Sequence, residues 1–199
     1  MKEIIQNALQ NSFTYTEYRK LASKLVAQGK PTGHDLSEAL AHYAELNETR
    51  MNRLEKTITI SEGVKVKLEK NSKDYIWLVL SESWCGDAAQ ILPVINKMCE
   101  VSDAIQLKIV LRDDNDSLMQ QFLTNGAKAI PKLIILDAQT LNVVAHWGPR
   151  PHGAKQLIEV YKSAHGVVDE AGKIELQKWY LHDKGISIQQ EITEIMDQL

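Results

Sequence analysis

The sequence predicts an α/β fold: a mixed sheet flanked by helices, with a helical N-terminal extension and further helices at the C-terminal side. Three observations carry this reading. Ile76-Trp77-Leu78-Val79-Leu80 is a short apolar run rich in β-formers, as in a strand covered on both faces. Within a few residues it gives way to Ile91, Leu92, Ile95 and Met98, which recur at helical spacing. Lys132–Asp137 and Asn142–Trp147 are strand-like runs parted by a turn at Ala138-Gln139-Thr140, a hairpin-like spacing.

Residues 1–56 read as helical and form the extension; residues 57–199 form the main domain with its C-terminal helical segment. Thr14-x-x-Glu17 has the capping-box form and opens a helix with Tyr18, Leu21, Leu25 and Val26 on one face. Gly29-Lys30-Pro31 stops it. A longer helix starts near Asp35 or Ser37 and runs to about Lys56. Leu36, Leu40, Tyr43, Leu46, Met51 and Leu54 supply its apolar side. Such a helical hairpin either packs on the sheet or shapes a substrate groove or a dimer face.

Thr57-Ile58-Thr59-Ile60 reads as a short first strand. Val64, Val66 and Leu68 alternate as a strand would, so Ser61–Lys70 is ambiguous on its residues alone. After the central strand and its helix, Ile105–Leu111 is another strand. Arg112–Asp116 is a loop that caps a helix through about Leu123, and Asn125-Gly126 ends it with residues tolerant of positive φ. Gly148-Pro149-Arg150-Pro151 breaks regular structure, and Ala154–Ala164 is helical. Val168–Leu199 is helical with a break near Gly185. The resulting order, β-α-β-α-β-β-α, makes the last strand pair antiparallel.

The chemistry concentrates at the turn between the central strand and its helix. Trp84-Cys85-Gly86-Asp87 places one thiol at a helix start and at the carboxyl end of a strand, where ligands bind in α/β sheets. Unpaired N–H groups and the helix dipole stabilise a thiolate there and pull its pKa below about 8.5. Gly86 leaves the sulfur open to approach. Glu82 and Asp87 oppose the effect, because nearby negative charge raises a thiol pKa. Asp87 is expected to cap the helix, and Trp84 either shields the sulfur or packs. Arg150 reads as a solvated arginine, with the alternative that it offsets Asp87 or binds an anionic substrate.

Trp84-Cys85-Gly86-Asp87-Ala88 in a strand-turn-helix resembles the active-site turn of the thioredoxin superfamily, whose usual form is W-C-x-x-C. Gly126-Ala127-Lys128-Ala129-Ile130-Pro131, followed by Lys132-Leu133-Ile134-Ile135-Leu136, resembles the loop that carries the superfamily's cis-proline. The likeness spans residues 57–165 and is greatest to a bacterial thioredoxin-like branch with a helical N-terminal extension. It implies a thioredoxin fold, with a helix over Ser61–Lys70, and redox chemistry at Cys85. Trp84, Gly86, Asp87, Ile130 and Pro131 would contact substrate, with Pro131 cis and Ile130 offering its backbone to a bound peptide.

One departure governs the mechanism. Ala88 stands where the second cysteine of W-C-x-x-C would be. Cys99 lies fourteen residues beyond Cys85, about 21 Å along a continuous helix, and a disulfide needs Cα atoms within about 7 Å. Turnover would therefore be monothiol: Cys85 attacks a protein or small-molecule disulfide, and an external thiol reductant resolves the mixed disulfide. The competing readings are a thioredoxin-fold binding module without turnover, and peroxide reduction through a sulfenic acid. Cys99 reads as a buried small hydrophobe.

Composition limits the remaining classes. The chain has 199 residues, 44% of them hydrophobic and 25% charged, enough to bury a core without staples. A net charge of −3 argues against nucleic acid or an anionic membrane surface as partner. Two cysteines without an evident pairing, and no signal-peptide or membrane-spanning stretch, point to a cytoplasmic location. No metal or cofactor is expected: His and Cys show no ligand spacing, and G-x-G-x-x-G, P-loop and G-x-S-x-G motifs are absent.

Overall fold

The computed structural model describes residues 1–199. Four helices precede the sheet: α1 (Lys2–Gln10), α2 (Tyr15–Val26), α3 (Glu38–Thr57) and α4 (Glu62–Glu69). Then come β1 (Tyr75–Ser81), α5 (Gly86–Cys99), β2 (Ile105–Leu111), α6 (Asp116–Met119), β3 (Lys132–Asp137) and β4 (Val143–Trp147). Three helices follow: α7 (His152–His165), α8 (Glu170–Asp183) and α9 (Ile186–Met196). The α/β class and the helices at both ends are those the sequence predicts.

The sheet order is β2-β1-β3-β4. β1 runs parallel to β2 and antiparallel to β3, and β3 is antiparallel to β4. The two central strands are buried almost throughout, which is why both read as unbroken apolar runs. β4 alternates in exposure, as an edge strand does. The other edge is covered: Phe13 exchanges both backbone hydrogen bonds with Ile109 of β2, each at 2.8 Å. This short bridge between α1 and α2 occupies ladder positions on which another chain would pair.

The N-terminal helices share the core of the sheet. Ile5, Tyr18, Met51 and Leu54 belong to the same cluster as Trp77, Ile91 and Leu133. The Thr14–Glu17 capping box is formed. Arg19 then ties α2 to α3, with Nη1 2.7 Å from Glu48 and Nε 2.6 Å from Glu55. Along α3 the buried stripe is Ala44, Asn47, Met51 and Leu54. Leu36 and Leu46, assigned to the apolar side, are exposed.

Two elements differ from the sequence reading. Thr57 closes α3, and Ile58–Ile60 forms no strand. Ile58 and Ile60 do point inward, which explains the strand-like alternation. Their backbone partner is a side chain: Gln189 of α9 accepts from Ser61 N–H at 2.9 Å and donates to the Thr59 carbonyl at 3.1 Å. A primary amide thus does the work of a neighbouring strand. The helix expected through Leu123 is only α6 plus a 3-10 turn at Gln120–Phe122. The Asn125-Gly126 pair beyond it has positive φ, 51° and 77°.

Ser61–Lys70 resolves to helix α4, and Gly185, with φ 78°, separates α8 from α9. A Cβ at Gly185 would sit 2.8 Å from Val94, so this turn needs glycine for both angle and space. No helix is long and apolar enough to cross a membrane.

Candidate functional site

Cys85 is the N-cap of α5, one turn beyond the end of β1. Its sulfur accepts from the Ala88 N–H at 3.5 Å, so the thiol occupies the position of a helix-capping oxygen. Asp87, expected to be the cap, is not. On the other side the thiol donates to the Ile130 carbonyl at 3.3 Å. The Ile130–Pro131 peptide is cis and leads directly into β3. The two motifs, 45 residues apart in sequence, therefore meet at one sulfur.

Electrostatics at this sulfur run against ionisation. Burial is the largest influence and the Asp87 carboxylate the next; together they push the Cys85 thiol up to about 12. The N–H groups of Ala88 and Asp87 and the charge of Arg150 oppose them and lose. Of the two trends visible in the sequence, acid plus desolvation prevails over the helix terminus. Cys85 is only 8% exposed, and what shows opens into a groove.

Asp87 is itself buried and doubly held. Arg150 donates to it from Nε and Nη2, both at 2.8 Å, and the Tyr180 hydroxyl donates at 2.8 Å. Burial and then the Asp87 charge hold the Tyr180 phenol well above its ordinary range. Arg150 is thus not a solvated arginine: it reaches back from the loop after β4 to the start of α5. That loop is wedged against the cis-proline loop. Gly148 has φ 109°, and a Cβ there would lie 2.5 Å from the Pro131 carbonyl oxygen. Lys132 bridges the same two loops, donating to Thr124 Oγ1 at 2.7 Å and the Gly148 carbonyl at 3.1 Å.

A buried polar lock fastens the other side of the turn. Thr32 and Ser83 exchange hydrogen bonds, Thr32 N–H to Ser83 Oγ at 2.9 Å and Ser83 N–H to Thr32 Oγ1 at 2.7 Å. Glu82, fully buried, accepts from Thr32 Oγ1 and from the Asp113 N–H. Burial raises its pKa despite both bonds. Asn47 of α3 donates to the Ser83 carbonyl at 2.8 Å and accepts from Arg50 at 2.7 Å. Sequence reasoning named none of Thr32, Asn47, Arg50, Gln177 or Tyr180 at the site. Asn47 left a signal, since it interrupts the buried stripe of α3.

The groove above Cys85 has a volume of about 720 Å³. Leu40, Tyr43 and Leu46 of α3 form one wall; Ile174, Gln177 and Leu181 of α8 form the other. Trp84, Gly86 and Asp87 make the floor with Cys85. Trp84 is half-buried, with the Arg112 guanidinium 4.8 Å from its ring centroid. The walls meet at one end, where Lys173 donates to Tyr43 Oη at 2.8 Å. Gln177 faces the turn as well: it accepts from the Gln90 side chain at 2.7 Å, and its amide nitrogen lies 3.4 Å from where a Gly86 Cβ would be. The Ile130 carbonyl meets the sulfur from the sheet side, and neither Ile130 nor Pro131 is among the groove's lining residues. Cys99 closes α5 at the far end and is half-buried against the core, not fully buried.

Known proteins place this architecture. A crystal structure of an HIV epitope-scaffold is similar, with a TM-score of 0.59, 17% identity, 94% of this chain and 99% of that one covered. A Pseudomonas aeruginosa protein of unknown function is also similar, with a TM-score of 0.49, 20% identity and coverage of 94% and 98%. No curated protein sequence matches the chain significantly. The family model described as Thioredoxin matches residues 33–163, a stretch that holds all of the polar lock but Thr32, the Cys85 turn, the Pro131 loop and Arg150. With two thirds of its length matched and the four-stranded sheet in place, the chain belongs to this thioredoxin family.

Proposed function

We propose that this thioredoxin-fold protein performs monothiol thiol–disulfide exchange at Cys85, with the thiol held protonated until substrate occupies the groove. The observation that carries the reading is the position of one sulfur. It caps α5, faces Ile130 at 3.3 Å and lies at the floor of the groove. In the exchange step the Cys85 thiol loses its proton and attacks one substrate sulfur. The Cys85–sulfur bond forms as the substrate disulfide breaks, and the leaving thiolate takes up a proton. An external thiol then attacks the mixed disulfide, Cys85 returns as thiol, and the external thiol departs within a new disulfide. Ala88 offers no internal resolving group, and Cys99 sits at the opposite end of α5.

The raised pKa sets the pace. A thiol ionising near 12 is about 10⁻⁵ thiolate at neutral pH, so exchange at rest is slow. Displacing Asp87 from the thiol, or drawing Arg150 toward it, is what would speed it. The test is intact-mass analysis of the Cys99→Ser protein incubated with a small disulfide at alkaline pH. A single adduct on Cys85, released by added thiol and absent from Cys85→Ser, is the expected result. No adduct at any pH would refute the reading.

The same high pKa favours one alternative, a binding module that does not turn over. On that reading Cys85→Ser retains every partner interaction of the wild type.

A further inference from the structure

We infer that the groove between α3 and α8 binds a low-molecular-weight disulfide with an apolar body and a carboxylate, its anion held by Arg50 and Arg53. This rests on the exchange reading above and names its substrate class. Two observations favour a small molecule over a folded protein surface as occupant. Cys85 is 8% exposed and lies beneath two helical walls bridged at one end by Tyr43 and Lys173. A volume of about 720 Å³ is that of a small-molecule pocket.

The charge argument is specific. Five cationic side chains line the groove against two carboxylates, Asp87 and Glu170. Three of the cations are spoken for: Arg150 by Asp87, Lys173 by Glu170 and Lys178 by Glu175. Arg50 and Arg53 take part in no ion pair. They lie one turn apart on α3, and Arg50 is half-buried, aimed by Asn47 and 3.7 Å from where a Gly86 Cβ would be. Burial, and then the Arg53 charge, lower its pKa, so an anion there relieves a like-charge pair. Leu40, Leu46, Ile174 and Leu181 supply apolar surface for the rest of the ligand. The chemistry balances as one disulfide and one external thiol giving one released thiol and one new disulfide, with Cys85 regenerated.

The test separates binding from exchange. Dithiobis(nitrobenzoate), an anionic aromatic disulfide, is titrated calorimetrically into the Cys85→Ser, Cys99→Ser protein, with neutral dithiodipyridine as control. We expect at least tenfold tighter binding of the anionic probe, and loss of that preference in the added Arg50→Gln, Arg53→Gln variant. Equal affinity for the two probes, or an unchanged preference after both arginine substitutions, overturns the inference. In parallel, the Cys99→Ser protein is reacted with both probes, each rate normalised to free cysteine. Binding without reaction at Cys85 retains the ligand assignment and refutes the exchange reading; reaction without discrimination does the reverse.

Discussion

Asp87→Asn isolates the group that, after burial itself, does most to keep Cys85 protonated. The substitution removes the charge and keeps one acceptor oxygen, which serves Arg150; the amide NH2 takes the place of the oxygen that faced Tyr180, whose hydroxyl can turn to accept. With the thiol at about 12, about 10⁻⁴ of it is ionised at pH 8. Removing a like charge at this range raises the ionised fraction by about tenfold to a hundredfold. Nucleophilicity falls as the thiol becomes more acidic, by about threefold for each tenfold gain in thiolate. The net expectation is alkylation of Cys85 by iodoacetamide about threefold to tenfold faster than wild type at pH 8. The assay is intact-mass kinetics in a Cys99→Ser background. Equal or slower alkylation would refute the electrostatic account, because burial alone would then set the pKa.

Three further outcomes follow from the same geometry. Gly148→Ala forces a Cβ within 2.5 Å of the Pro131 carbonyl at a φ of 109°, and should cost about 2–4 kcal/mol in urea unfolding; a cost below about 0.5 kcal/mol would mean the loops are not wedged. Asn47→Ala leaves the Ser83 carbonyl buried and unpaired and should cost about 1–3 kcal/mol by the same measurement; no loss would show the polar lock to be dispensable. Glu82 binds its proton more tightly in the folded chain than at its ordinary 4.5, so its share of stability is present below that pH and is lost as pH rises through the folded value. Glu82→Gln should flatten the decline in stability across that window, and an unchanged pH profile would contradict the raised pKa.

The sheet was legible because its strands have local signatures. β1 and β3 are buried on both faces and read as apolar runs, and the turn before β4 is short. The Cys85 turn was legible because a strand end, a cysteine and a helix start are adjacent in sequence. What escaped was non-local. Ile58–Ile60 mimics a strand because its inward alternation is real, but its partner is the amide of Gln189, 128 or more residues away. Leu40, Tyr43 and Leu46 carry the apolar spacing of a core face, yet they line the groove, since α8 supplies an opposite wall rather than a cover. The sign of the Cys85 shift depends on how deeply the turn is buried. That depth is set by Thr32, Asn47 and Tyr180, which reach it from three separate helical segments or their flanks.

The pH dependence of Cys85 alkylation in the Cys99→Ser protein tests the masked thiol most directly. With burial and Asp87 holding the thiol near 12, the rate should climb about tenfold per pH unit through pH 10 without levelling. A plateau reached by about pH 9, the behaviour of an unperturbed or activated thiol, would contradict it.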